Sequence, residues 1–502
     1  MKKPVSFSTS SGHSFLYSPF RNKILLCHPA IIHLYELDIA GVDLKQYIDL
    51  IKTGQQSIHL KEYKLTSDEL LYQWKKYRFL KRKRFFKIPK PINLEGRLAS
   101  SHIAGNLTGI QQVIFETTEE CNLSCTYCTY SKFYINKERG NRKFDPAAAK
   151  TALNHLLSLR DKKSDQLTVS FYGGEPLRNF SFIREIVDFL NTSYGNDFSF
   201  KYTMSSNGLL LSKYAKFLAA HNFAVSVSLD GDETGNSFRL LPNNRSSHEL
   251  VTKNLDYIKN HYPGYFDRCI SFLTVLHKRN NFSAVQDYFR ERYGKTTLTS
   301  FISTSNIPDE RKEEFSNTFL DGMHHDFRER TVREELFMAH PTVKELANAI
   351  EKYSGIVFKN HFQVISRING DEGTRAFVPT ATCSPFSLRV FIAADGTVLP
   401  CEHIGRNFEI GHLGNNELKI NHKSIAGWYN GYYDKIRSLC NSCFLADNCK
   451  ECVFNTGIET EKPVCDYFMD EQKFKLLLGN AFNLIENEFP LYQRLLKEAF
   501  HE

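Results

Sequence analysis

The sequence predicts an α/β fold built on a parallel sheet or partial barrel, and three observations carry that reading. Six strand-length runs of apolar and β-branched residues fall at 113–116, 167–172, 198–204, 223–229, 270–276 and 298–303. Helical patterns at 146–160, 181–192, 212–220 and 249–261 alternate with them, the order that closes a parallel sheet through crossover helices. Chemically active residues then stand just after the first four runs, where the carboxyl ends of parallel strands open onto a ligand crevice.

With 502 residues, 41% hydrophobic and 24% charged, the chain can bury several cores and has an ordinary globular composition. Short runs at 14–17, 23–27 and 31–37, helical patterns at 43–52 and 67–80, and the Pro89/Pro91 pair make residues 1–108 a small α+β domain ending in a linker. The barrel is expected over 109–305, and a charged helical bridge over 306–380. A cysteine-rich region at 381–470 begins with a hairpin, 388–393 and 397–399 around an Asp395-Gly396 turn. Helices are expected over 471–502.

The net charge of +8 is local. Lys75, Lys76, Arg78, Lys81, Arg82, Lys83, Arg84 and Lys87 include no acidic neighbour, and without them 56 basic residues balance 56 acidic ones. Such a run suits a solvated helix face or an acidic partner, and less often nucleic acid. No apolar stretch is long enough to span a bilayer and the N-terminus lacks a secretory pattern, so neither a membrane nor a secreted location is expected, and the cytoplasm is the default.

Twelve cysteines are clustered: three at 121–128, seven at 383–465, with Cys27 and Cys269 apart. Without a secretory signal, clustering favours metal or redox chemistry over disulfides. Cys121, Cys125 and Cys128 put three thiols in one loop after the first strand. Three thiolates can hold three corners of a cubane and leave one iron open, and an open position is where a ligand can bind.

This CxxxCxxC loop resembles the signature of the radical S-adenosylmethionine (SAM) superfamily. The resemblance implies a TIM-like partial (β/α)6 barrel, a [4Fe–4S] cluster on the three cysteines, and SAM chelated to the open iron. Gly173, Gly174, Glu175 and Pro176 are similar to the family's GGEP element, which holds the SAM amino group through backbone and carboxylate contacts. Tyr127 matches the aromatic that packs beside adenine. Ser205 and Asn207 lie in a Ser-Ser-Asn-Gly resembling a strand-three element, and Ser228 and Arg239 resemble strand-four SAM contacts. Asp232 stands where the family commonly has Pro, and the His-Asp pair before the arginine is absent. Ser305 or Asn306, after the sixth strand, is a further possible contact.

Cys383, Cys401, Cys440, Cys443, Cys449, Cys452 and Cys465 resemble the seven-cysteine SPASM domain of peptide-modifying radical SAM enzymes, although Cys449 and Cys452 are separated by two residues where three are usual. The resemblance implies one auxiliary [4Fe–4S] cluster on Cys440, Cys443, Cys449 and Cys465. It implies another on Cys383, Cys401 and Cys452 with no evident fourth cysteine. Spacing alone favours a zinc ribbon; the upstream loop tips the reading to iron–sulfur, three clusters in all. The implied enzyme is a radical SAM oxidoreductase that matures a ribosomally made precursor peptide, generating a 5′-deoxyadenosyl radical to cross-link or oxidise side chains. Flavodoxin or ferredoxin would be its reductant. A separate N-terminal domain suits leader capture; such domains are often winged-helix-like and bind the leader as an added strand. The alternative is an anaerobic sulfatase-maturase type that makes formylglycine from a protein Ser or Cys.

Overall fold

A computed structural model describes residues 2–499 apart from 55–57, 61–62, 135–139, 161–165, 305–306, 321–339, 341–342, 345, 348–375 and 415–416. Ser305, Asn306 and much of the expected bridge lie outside the described residues. The chain forms two compact units, one of residues 1–97, 334–381 and 433–502, the other of 98–333 and 382–432.

The first unit opens with an antiparallel meander of β1 (Val5–Ser8), β2 (Ser14–Ser18) and β3 (Lys23–Leu26). Residues 31–37, expected as a strand, instead belong to helix α1 (Pro29–Ile39). Pro29 occupies the first helical turn, where its missing N–H costs nothing, and the His28 side chain accepts from Ala30 N. After α2 (Leu44–Lys52) and the hairpin β4 (Ile58–Leu60) and β5 (Tyr63–Leu65) comes α3 (Ser67–Arg82), started by a reciprocal Thr66–Glu69 capping box. Leu16 joins Ile31, Leu34, Ile48, Leu70 and Tyr77 in a core under these helices.

The second unit starts with α4 (Ser100–Thr108) and then the barrel strands β6 (Gln112–Thr118), β7 (Leu167–Gly173), β8 (Phe200–Ser206), β9 (Ala224–Ser228), β10 (Ile270–Leu276) and β11 (Leu298–Phe301). They lie side by side in sequence order, each neighbouring pair parallel. Helices α5 (Pro146–Ser158), α6 (Phe180–Tyr194), α7 (Leu211–Ala220), α8 (His248–His261), α9 (Pro263–Cys269) and α10 (Phe282–Tyr293) alternate with the strands, and α11 (Asp309–Phe319) follows. This is the expected partial (β/α)6 barrel. Strand alternation separates its faces: Phe115 and Phe171 pack edge-on against Phe182 of α6, while the opposite face carries small hydroxyls. There Gln112 Nε2 donates to Ser170 at 2.7 Å, Ser170 and Thr203 hydroxyls lie 2.6 Å apart, and Ser226 and Ser271 lie 3.1 Å apart.

The expected hairpin is present as β12 (Arg389–Ile392) and β13 (Thr397–Leu399). The sequence does not reveal its partner: β12 pairs parallel with β6, from Arg389 opposite Gln112 to Ile392 opposite Phe115. The short antiparallel strands β14 (Gly411–Leu413) and β15 (Leu418–Lys419) complete a ten-stranded sheet. Helix α12 (His422–Ser442) follows, with Cys440 in its last turn. Its buried Ile425, Ala426 and Tyr429 recur at helical spacing.

Two helices, α13 (Glu471–Asn487) and α14 (Phe489–Ala499), return the chain to the first unit. Phe474 and Leu478 of α13 pack on Val5, Phe7, Phe15 and Tyr17, the sheet face opposite α1–α3. Residues 1–97 therefore share a core with the C-terminal helices, where a separate N-terminal domain was expected. The physical reason is that a three-stranded sheet with apolar residues on both faces needs two covers.

Candidate active site and a cysteine-lined cavity

Cys121, Cys125 and Cys128 lie in one loop after the carboxyl end of β6. The cysteine loop runs along the segment after β9, with Ser124 N donating to Leu240 O at 2.7 Å and Thr126 N to Phe238 O at 3.0 Å. Cys125 lies within electrostatic reach of both Cys121 and Cys128. Cys125 and Cys128 line a cavity of about 540 Å³ with Thr126, Tyr130, Ser131 and Phe238. Burial pushes the Cys125 thiol up to about 12, against the pull of Arg239, so a metal there must displace its proton. The hydroxyls of Thr126 and Ser131 are buried in the same wall and, among the described residues, have no hydrogen-bond partner. Two thiols and two orphaned donors around one cavity, with the Cys121 thiol in the same loop, fit a polynuclear, sulfur-rich group.

The glycines of the 173–176 turn are required by close approach. Gly173 has φ +126, and a Cβ on it would stand 2.2 Å from Thr118 O; a Cβ on Gly174 would stand 2.2 Å from Glu120 O. Their backbone is committed too, with Gly174 N donating to Thr118 O and Glu175 N to Glu120 O. The Glu175 carboxylate, expected to face SAM, is fully buried and turned inward: Oε1 accepts from Leu177 N and the Ser206 hydroxyl, and Oε2 from Asn207 N at 2.7 Å. Glu175 therefore fixes the end of β8, and any amino-group contact from this turn must come from carbonyl oxygens. Burial pushes its carboxyl up to about 7, opposed by those donors. Asn207, also expected at SAM, sends its amide to Asn122 Oδ1 at 2.7 Å and toward Cys121 Sγ at 3.6 Å. Ser205 and Ser228 sit half-buried near the ends of β8 and β9.

Sequence reasoning gave Asp230 no role, yet it is the hub of the site. Arg239 grips it through Nε at 2.9 Å and Nη2 at 3.2 Å, Val275 N donates at 3.0 Å, and the Tyr127 hydroxyl donates to the same carboxylate. His277 Nε2 lies 3.8 Å away, and the Arg239 guanidinium stands 5.4 Å over the Tyr127 ring. Burial alone would raise the Asp230 carboxyl; Arg239 and the hydrogen-bond donors offset this and hold it below the usual range. Arg239 thus has two of its N–H edges occupied before any ligand arrives. The signal was available: Asp230 closes β9 as an acidic residue at a strand end, nine positions before an arginine.

A second network joins the hairpin to the barrel. Arg406 Nη2 reaches Glu116 and Glu119, each at 2.7 Å, and Arg406 also pairs with Asp395. Glu116 lies at the end of β6 and Glu119 two residues before Cys121, so this cation steadies the start of the cysteine loop.

The cysteines downstream separate as follows. Cys440, Cys443, Cys449 and Cys465 line one cavity of about 370 Å³, with Ile436, Leu439, Tyr467 and Phe468. Cys449 Sγ accepts from Glu451 N at 3.4 Å and Cys443 Sγ from Met469 N at 3.5 Å. Among the described residues no three His, Cys, Asp or Glu converge to hold a metal ion: the four thiols surround a space and do not close on a point. Cys383 and Cys401 interact electrostatically in the second unit, and Cys452 belongs to the first.

Residues 115–290 match the radical SAM superfamily. This stretch is a radical SAM domain. The radical SAM family carries SAM and a [4Fe–4S] cluster, and the cysteine loop, the glycine turn and the Asp230 hub all fall inside the domain. An uncharacterized protein of Methanocaldococcus jannaschii is 34% identical over 154 residues, 30% of this chain and 50% of that one. A cysteine-type anaerobic sulfatase-maturating enzyme of Clostridium novyi is 28% identical over 178 residues, 35% and 46% of the two chains. The radical SAM cyclopropyl synthase TigE of Paramaledivibacter caminithermalis is 28% identical over 186 residues, 35% and 34%. The chain thus spans half or less of the curated relatives it matches. The solved structure of native anSMEcpe with bound AdoMet aligns over 78% of this chain and all of that one, with TM-score 0.50 and 17% identity, a likeness of fold. Among the described residues no helix is long and apolar enough to cross a membrane.

Proposed function

We propose that this protein is a radical SAM peptide maturase that oxidatively modifies, and cross-links, side chains of a ribosomally made precursor. The observation that carries the reading is the pairing of a three-thiol loop at the carboxyl end of β6 with a second, four-thiol cavity elsewhere in the chain. Cys121, Cys125 and Cys128 would hold a [4Fe–4S] cluster, which would supply the reducing electron for SAM cleavage. The protein aims that chemistry. Arg239 and Tyr127, held by Asp230, wall the SAM side of the site. The hydroxyl-lined barrel face leaves room for a polar substrate. Cys440, Cys443, Cys449 and Cys465, which line one cavity, are suited to an auxiliary [4Fe–4S] cluster. Such a cluster would be suited to take up the electron that a substrate radical must lose when a ring closes.

Leader capture is assigned to the N-terminal unit. Helix α3 presents Tyr72 and Phe79 to solvent, with Lys76 4.5 Å over Tyr72 and Lys83 5.7 Å over Phe79. A basic stripe with aromatic anchors suits an acidic, partly apolar leader. A sulfatase-maturase-type activity is the second reading, favoured by the Clostridium relative. The test is anaerobic reconstitution with iron and sulfide, dithionite and SAM, followed by mass spectrometry. The protein is given either a candidate precursor peptide found among the open reading frames neighbouring its gene or a sulfatase-motif peptide. Mass loss in the former supports the maturase; formylglycine in the latter alone moves the assignment to the sulfatase type; no 5′-deoxyadenosine with either rejects both.

A further inference from the structure

The thiol that opens the cysteine loop already has donors. Cys121 Sγ accepts from Leu123 N at 3.4 Å, and the Asn207 amide lies 3.6 Å away. On the Cys125–Cys128 side, Thr126 Oγ1 and Ser131 Oγ are buried and, among the described residues, bond to nothing. Both residues line the cavity that holds Cys125 and Cys128. Their backbones are fixed independently, since Thr126 N is spent on Phe238 O and Ser131 N on Cys128 O, so the hydroxyls are held in the cavity wall with their donors unspent. Buried hydroxyls in native proteins find partners, and an orphan calls for an unseen group.

Resting on the radical SAM reading, we infer that Thr126 and Ser131 are positioning residues whose hydroxyls donate hydrogen bonds to sulfurs of the cluster on Cys121, Cys125 and Cys128. Hydrogen bonds to cluster sulfurs stabilise the reduced, more negative form and so raise the reduction potential. The pair sets how readily the cluster is reduced, a step that precedes SAM cleavage.

The test is an EPR-monitored redox titration of the anaerobically reconstituted full chain. The first-site cluster is recognised as the reduced signal that changes when SAM is added. Thr126→Val, Ser131→Ala and the double variant should shift its midpoint potential to more negative values, the double variant furthest, with iron content unchanged. Thr126→Ser should restore the wild-type value. An unmoved potential in the double variant overturns the inference, as does weakened SAM binding at unchanged potential, which would turn the hydroxyls toward SAM. Should a variant fail to take up iron, deuterium spin-echo measurements on the wild-type protein after exchange into D2O decide the matter. Exchangeable deuterons strongly coupled to the SAM-responsive cluster are expected, and their absence overturns it. A wild-type protein with no SAM-responsive signal would instead reject the radical SAM reading itself.

Discussion

Arg239 and Asp230 form a buried pair, closed by two contacts of 2.9 and 3.2 Å and shared with the Tyr127 hydroxyl. Removing one partner of such a pair strands a buried charge, at a cost of about 3–5 kcal/mol. Asp230→Ala should therefore lower stability by that order and weaken SAM binding, because Arg239 and Tyr127 lose their shared anchor. Arg239→Met combined with Asp230→Ala should recover part of the loss. Urea denaturation of the two single variants and the double variant checks this; additive losses would mean the pair is not coupled.

Replacing Cys121, Cys125 and Cys128 together by Ala should abolish 5′-deoxyadenosine formation under dithionite. Undiminished cleavage, read by chromatography, would remove the cysteine loop from the chemistry.

Three cubanes would give about twelve irons per chain, and the triple variant at the first site should keep about two-thirds of them. Metal analysis after reconstitution reads this directly. Stoichiometric zinc with little iron in that variant would mark the downstream cysteines as a zinc module.

Glu175 makes stability depend on pH. Its carboxyl moves from an ordinary 4.5 in the unfolded chain to about 7 when folded, so between those values the native state keeps a proton that the unfolded chain has lost. Its contribution is most favourable below the unfolded value and declines as pH rises through the folded one, by about 3 kcal/mol. Glu175→Gln should flatten the pH dependence over that window, whatever its own absolute stability. An equal slope in both proteins, from denaturant titrations across the window, would count against it.

Deleting the N-terminal residues is a poor test of leader recognition, because Phe474 and Leu478 pack on Val5, Phe7, Phe15 and Tyr17. Phe444, beside Cys443, stacks on Phe474 at 5.0 Å, so truncation should also cost iron in the Cys440–Cys465 cavity. Surface neutralisation is cleaner. Changing Arg82, Lys83 and Arg84 to Gln should weaken precursor binding in a salt-dependent way and leave SAM cleavage without substrate intact. Lys81 is left in place because it pairs with Asp38 at 2.6 Å. Salt-independent binding by calorimetry would remove the basic run from recognition.

The sequence by itself determined the barrel and the place of the cysteine loop at its rim. Strand alternation is a local signal, and β10 runs over Ile270–Leu276 as read. The spacing of Cys121, Cys125 and Cys128, and the grouping of Cys440, Cys443, Cys449 and Cys465, are also written in short stretches of chain. What only the tertiary structure decided depends on partners far apart in sequence. Residues 31–37 became a helix because Pro29 and His28 start one and the sheet needs a cover. The parallel pairing of β12 on β6 leaves no trace in either strand. Glu175 and Asn207 read as ligand contacts because their motif is a ligand motif, yet burial turned one carboxylate toward the end of β8 and one amide toward Cys121. Asp230 was legible as a strand-end acid but not as a hub, since its value lies in Tyr127, Arg239 and the Val275–His277 strand end arriving from three separate segments at a buried point.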